Sequence, residues 1–257
     1  MVMPLYDDNP FTQPIKPVVT WCLIALNLGI FLYEAGATQL ALERTIDVFS
    51  LTPAALVGDM SARGWVPAFV TLVTYQFFHA DIGHFFGNML FLWVFGDDIE
   101  RALGRWRFLA FYLLCGVVGG LVFVAYAPHS QIELIGASGA IAGIVVAYVM
   151  LRPCAKITVL LAIIPLRISA YWVIGLFVLL QLWNLGASSK SEVAYWCHFG
   201  GMLAGGVLFP LMKSPAVRLF QCRQPVPDTL VQIGPNAAAI ARRRHKGGDA
   251  RLRGLMP

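Results

Sequence analysis

Six stretches of this chain contain no Asp, Glu, Lys or Arg: residues 17–33, 82–96, 108–132, 134–151, 168–189 and 193–212. A helix needs about 20 predominantly apolar residues to cross a bilayer, so a chain built this way leaves a soluble fold little room. The second stretch is short, and the third and fourth are separated only by Glu133, where Pro128, His129, Ser130 and Gln131 supply a turn. Composition agrees, with 58% hydrophobic residues, 13% charged residues and a mean hydropathy of +0.69, against roughly a quarter charged in soluble proteins. The expected fold is all-α: a polytopic membrane protein with a bundle of six spans, the lipid bilayer being its partner and solvent.

The net charge of +5 could suggest a nucleic-acid partner in a soluble protein, but the basic residues lie between and after the apolar runs, so no nucleic acid is expected. Their placement reads as topology. Arg101, Arg105, Arg107, Arg152, Lys156 and Arg167 occupy two short connections on the side that also holds Lys16 and the basic tail, while only Arg44, Arg63 and Lys190 occupy the other. Both termini are therefore expected on the cytoplasmic side, in the plasma membrane of a bacterium. The expected organisation is a cytoplasmic segment 1–16, a membrane domain 17–213 and a flexible basic tail 214–257 that includes Arg242, Arg243, Arg244, His245 and Lys246. Pro4, Asp7, Asp8, Pro10 and Pro14 do not resemble a cleaved signal peptide, so the first apolar run is expected to stay as a span. Residues 35–81 are expected to pack on the outer face or dip into it, and Ile157–Leu166, too short to span, to form part of the connection before the fifth span, at the interface. The five cysteines, Cys22, Cys115, Cys154, Cys197 and Cys222, show no paired spacing, so neither a disulfide framework nor a metal site is expected.

Polar side chains within spans are costly and face a bundle interior, so each needs a reason. His84 lies three residues past Asp81, Ser138 five past Glu133 and His198 six past Glu192, each at the outer end of an inward-running span. At 1.5 Å per residue all three sit roughly 5 to 10 Å below the same boundary. Asn88, one turn beyond His84, shares its helix face. A serine hydroxyl is a weak nucleophile until a base such as histidine takes its proton, and the oxyanion it generates needs donors, so this group holds the parts of acyl transfer. Gly136, Gly139 and Gly143 around the serine, and Gly201 and Gly205 after the histidine, allow two helix backbones to approach closely. Asn27, Gln181 and Asn184 are read instead as hydrogen-bonding glue between spans.

The sequences G-A-S-G at 136–139, H-x-x-x-N at 84–88 and H-x-x-G-x-x-x-G at 198–205 together resemble the rhomboid family of intramembrane serine proteases. The likeness covers roughly residues 17–212 and extends to His79, to Ile99-Glu100-Arg101 with Gly104, and to the long first loop. It implies a catalytic dyad of Ser138 and His198 without an acidic third member. It also implies an acyl-enzyme, oxyanion donors from Asn88, His84 and the Ser138 backbone, single-span membrane proteins as substrates, and no cofactor. Two positions depart from the pattern. Many family members carry an aromatic residue four after the serine, packed on the histidine, where this chain has Ala142. The Trp-Arg pair of the first loop is replaced by Trp65-Val66. The rival readings are a non-catalytic relative that binds membrane clients, a small transporter, and a thiol nucleophile at Cys197. A client-binding relative loses the serine or the histidine, a transporter would place charge near the bilayer centre, and adjacent helical residues point about 100° apart, which turns Cys197 away from the direction of His198.

Overall fold

The computed structural model describes residues 2–7, 16–61, 64–161, 164–187 and 195–222. The expected tail beyond residue 222 lies outside them, as do Arg63 and Lys190. In chain order the described elements are strand β1 (Val2–Asp7), helices α1 (Val18–Gly36), α2 (Gln39–Phe49), α3 (Pro53–Leu56), α4 (Thr71–Thr74), α5 (Ile82–Leu103), α6 (Arg105–Tyr126) and α7 (Ser138–Leu151), strands β2 (Lys156–Leu161) and β3 (Ile164–Ser169), and helices α8 (Ala170–Ala187) and α9 (Tyr195–Met212). Each of the six apolar stretches contains a helix. By length and composition alone α1 and α6 could cross a membrane, while α7 and Ala170–Leu185 are shorter apolar helices.

The second apolar stretch looked short because charges end it, yet α5 continues through them to Leu103. Those charges have partners. Arg101 lies 3.3 Å from Asp97 one turn back, and Arg152 lies 3.6 Å from the fully buried Asp98. Glu100, also buried, accepts hydrogen bonds from the Val19 and Thr20 backbone N–H groups at 3.0 and 2.8 Å and from the Thr20 hydroxyl at 2.8 Å. First-turn amides have no acceptor within their own helix, so this carboxylate caps α1 from another helix. Gly104, with φ of +82°, adopts the left-handed backbone that lets α6 begin directly after α5.

Helices α6, α7 and α9 pack against one another, and α5 packs on α7 and α6. Phe95, Phe108, Phe111, Tyr112, Ile144, Tyr148 and Phe209 are fully buried there, and the Phe95 and Tyr148 rings meet at 4.7 Å. The long first connection is partly helical, as α2, α3 and α4. Leu51 and Leu134 exchange backbone hydrogen bonds, and Gly136 N–H donates to the Tyr75 carbonyl at 2.9 Å, which ties this loop to the segment leading into α7.

Two features correct the expectations. The fold is mostly helical but not all-α, because β1, β2 and β3 form an antiparallel sheet in that order. Of the stretch 157–166, expected as part of a connection, residues 157–161 lie in β2 and 164–166 in β3, which pair with Lys156 opposite Ser169 and Leu161 opposite Ile164. The β-branched Ile157, Thr158 and Val159 suit a half-buried strand, and Ile157 and Val159 face the core. The amino-terminal strand covers the other edge, where Tyr148 donates its hydroxyl proton to Asp7 at 2.6 Å. Cys154 and Cys222 form a disulfide across 68 residues of sequence. They meet because the chain after α9 folds back: Ser214 N–H donates to the Ala102 carbonyl at 3.0 Å and Phe220 N–H to the Met150 carbonyl at 2.7 Å. Residues 214–222 thus pack on the domain rather than joining the tail.

Replacing Glu100 by Ala leaves the first turn of α1 without its acceptor. The variant is expected to lose about 1–3 kcal/mol of stability, read as a lower thermal midpoint in detergent, with Glu100→Gln in between. An unchanged midpoint would show that apolar packing alone holds α1.

Candidate active site

Helix α7 begins at Ser138, preceded by Ala137 and by Gly136 at φ of +127°. Ser138 therefore carries one of the first-turn amides that have no acceptor within their own helix. His198 lies in the first turn of α9, and its Nε2 is 2.8 Å from Ser138 Oγ. The histidine is buried and the serine half-buried.

That contact requires the two helices to touch backbone to backbone. A Cβ on Gly201 would fall on the Gly139 carbonyl oxygen, and one on Gly205 on the Gly143 carbonyl oxygen. A Cβ on Gly139 would come within 2.7 Å of Cys197 Sγ, and one on Gly143 within 3.0 Å of the Gly201 carbonyl oxygen. Four glycines on two facing stripes thus remove the atoms that would hold Ser138 and His198 apart.

His84 enters from a third helix. Asp81 caps α5, its carboxylate accepting from His84 N–H at 2.8 Å, and this fixes the histidine in the first turn. The position a Cβ on Gly136 would take lies 2.7 Å from His84 Nε2 and 3.6 Å from Ser138 Oγ. The glycine leaves a small gap bordered by both groups. Asn88, one turn along the same face, is buried, and its Nδ2 has no hydrogen-bond partner among the described residues. His79, in the loop before α5, stacks edge-on against His84 with ring centres 5.3 Å apart. Burial, aided by the neighbouring His84, pushes its imidazole down to about 4 and keeps it neutral.

Two polar contacts escaped the sequence reading. Glu34, near the end of α1, accepts from the His79 backbone N–H at 3.2 and 3.3 Å and so fastens the loop before α5. Gln181, grouped with Asn27 and Asn184 as glue, behaves differently from both. Asn27 and Asn184 donate to the Leu23 and Leu180 carbonyls of their own helices, each at 2.7 Å. Gln181 Oε1 instead lies 2.9 Å from His198 Nδ1. The signal for it was Ala142: without an aromatic ring there, something else must hold the histidine. Cys197 is turned away from the serine, its Sγ 3.3 Å from the Tyr75 hydroxyl. Among the described residues no group of three or more His, Cys, Asp or Glu side chains is placed to hold a metal ion.

The Rhomboid domain family model matches residues 67–215, more than half of the chain. The chain is similar to the mitochondrial Rhomboid protein 1 of Saccharomyces cerevisiae, 30% identical over 60% of this chain and 45% of that protein. It is 33% identical to the rhomboid protease GluP of Bacillus subtilis over 50% of this chain and 23% of that protein. It is 26% identical to the rhomboid protease AarA of Providencia stuartii over 79% of this chain and 77% of that protein. The chain thus spans less than half the length of the first two. Since mitochondrial and chloroplastic proteins also appear among the relatives, the similarity does not support the expected bacterial membrane over an organellar one.

The glycine contacts can be tested without an activity assay. Gly201→Ala forces α7 and α9 apart and is expected to lose about 1–3 kcal/mol or more. Gly29→Ala, on α1 with nothing within 4 Å of its Cβ position, is expected to leave the thermal midpoint unchanged or slightly raised. Equal midpoints for both variants would contradict the close approach.

Proposed function

The chain belongs to the rhomboid family and is an integral membrane protein, and from that premise we propose that it is a serine endopeptidase that cuts transmembrane segments of other membrane proteins within the bilayer. The observation that carries this reading is the 2.8 Å contact between Ser138 Oγ and His198 Nε2 at the first turns of two touching helices. Ser138 gives its proton to His198 as it attacks the scissile carbonyl, and His198 returns the proton to the leaving amine. Water then releases the acyl group from Ser138 by the reverse assistance of the same histidine.

The oxyanion forms beside the gap at Gly136. The Ser138 backbone N–H, His84 Nε2 and Asn88 Nδ2 are its donors, and the positive end of the α7 dipole adds to them. The unpaired Nδ2 of Asn88 supports this assignment, because a buried donor without a partner is costly unless the reaction supplies one. No cofactor takes part.

The six apolar helices α1, α5, α6, α7, α8 and α9 are proposed as the spans, with both termini cytoplasmic. His84, Ser138 and His198 all lie in first turns of their helices, and in the proposed topology these turns face the outer leaflet, where the reaction requires water to reach them. Substrates are single-span proteins whose helices are weakened near the cut by small residues, since an intact helix keeps its carbonyls bonded within itself. The relatives named as rhomboid proteases support the same class of activity.

The test is cleavage of a model single-span substrate in liposomes. Wild type is expected to cut, and folded Ser138→Ala and His198→Ala to show no cutting above background. Asn88→Ala should lower kcat by about 100- to 1,000-fold with little change in KM. Cutting that survives both dyad variants would overturn the reading, and substrate capture without cutting by the wild type would favour a client-binding protein.

A further inference from the structure

We propose that Gln181 is the third member of the site, a positioning residue that selects the tautomer of His198. This rests on the protease reading and names the group that orients its base. The two ring nitrogens of His198 have different partners: Ser138 Oγ at 2.8 Å from Nε2 and Gln181 Oε1 at 2.9 Å from Nδ1. A neutral imidazole has one N–H and one lone pair, and an amide oxygen can only accept. The contact with Gln181 therefore puts the proton on Nδ1. Nε2 is left with its lone pair toward the Ser138 hydroxyl, which is the form a general base needs. An amide turned the other way would donate to Nδ1, place the proton on Nε2 and leave Ser138 without a base.

The surroundings leave this task to Gln181. Ala142 offers no ring for His198 to pack against, and the Tyr195 ring meets the imidazole only edge-on, with centres 6.1 Å apart. A glutamine also suits the medium. A carboxylate on α8 would stabilise the imidazolium more strongly but would place a charge on an apolar helix, which is costly. The amide dipole holds the ring without that penalty. When Nε2 takes the proton from Ser138, Nδ1–H remains bonded to Oε1, so the orientation is kept through both proton transfers.

The experiment compares wild type, Gln181→Leu, Gln181→Glu and Asn184→Ala on one single-span substrate across pH. Gln181→Leu keeps the bulk and loses the acceptor, and kcat is expected to fall by about 10- to 100-fold while KM stays within about twofold. Gln181→Glu restores an acceptor and is expected to recover most of kcat at alkaline pH. Because a carboxylate favours the imidazolium, the acid limb of its kcat/KM profile should move up by about one pH unit or more. Asn184→Ala, which loses only a bond within its own helix, is expected to match wild type. Wild-type kcat in Gln181→Leu overturns the role, as does equal loss in the Leu and Glu variants with an unchanged pH profile. Cutting by wild type and Gln181→Leu alike removes the positioning role alone, whereas a wild type that never cuts removes the protease reading and this role with it. Should Gln181→Leu fail to fold, 15N NMR of histidine-labelled wild type decides: the proton on Nδ1 of His198 is the expected result, and the proton on Nε2 overturns the proposal.

Discussion

Helices α7 and α9 touch backbone to backbone. Hydrogen-bond reach between a serine on one helix and a histidine on the next demands helices closer than ordinary side chains permit. Gly139, Gly143, Gly201 and Gly205 meet that demand by removing Cβ atoms that would otherwise strike carbonyl oxygens across the interface. Lipid gives no hydrophobic drive for helices to associate, so close van der Waals contact of this kind also holds the bundle together. Packing and chemistry thus share one constraint, and a single methyl group can disturb both.

Several buried carboxylates away from that contact have partners. Glu100 caps α1, Glu34 accepts from His79, and Asp98 faces Arg152. At the candidate site Ser138, His198 and Gln181 are bonded to one another, while other polar groups are open. Asn88 Nδ2 lacks a partner, the first-turn amide of Ser138 has no acceptor in its own helix, and His84 borders a gap rather than filling it. A buried donor without a partner destabilises the resting protein, and it is most useful where a reaction generates the acceptor.

The grouping of Ser138, His198, His84 and Asn88 is legible in the sequence as polar residues near the starts of three charge-free stretches, although α7 begins only at Ser138 itself, so helical rise from Glu133 does not place the serine. The rest depended on contacts that sequence spacing does not encode. Gln181 looks like Asn184 on a hydropathy trace. What separates them is the rotation of α8 against α9, which points one amide at His198 and the other at its own helix. Cys154 and Cys222 carry no spacing signal, because the fold-back of residues 214–222 brings them together. The sheet was hidden because β2 and β3 lie in a run too short to span, and because the strand beside them, β1, comes from a Pro-containing amino terminus that reads as irregular. Charges ended the second apolar stretch on paper but not in space, since Arg101 and Arg152 reach Asp97 and Asp98 and let α5 run on.

Activation of Ser138 by His198, as proposed, is tested by covalent labelling without a substrate. An organofluorophosphonate reacts with a serine in proportion to its activation by a neighbouring base. Applied to the purified protein in detergent, it should give one adduct, mapped by mass spectrometry to Ser138 and absent from folded His198→Ala. Labelling that persists in His198→Ala, or a folded wild type that takes up no probe at Ser138, would contradict the account.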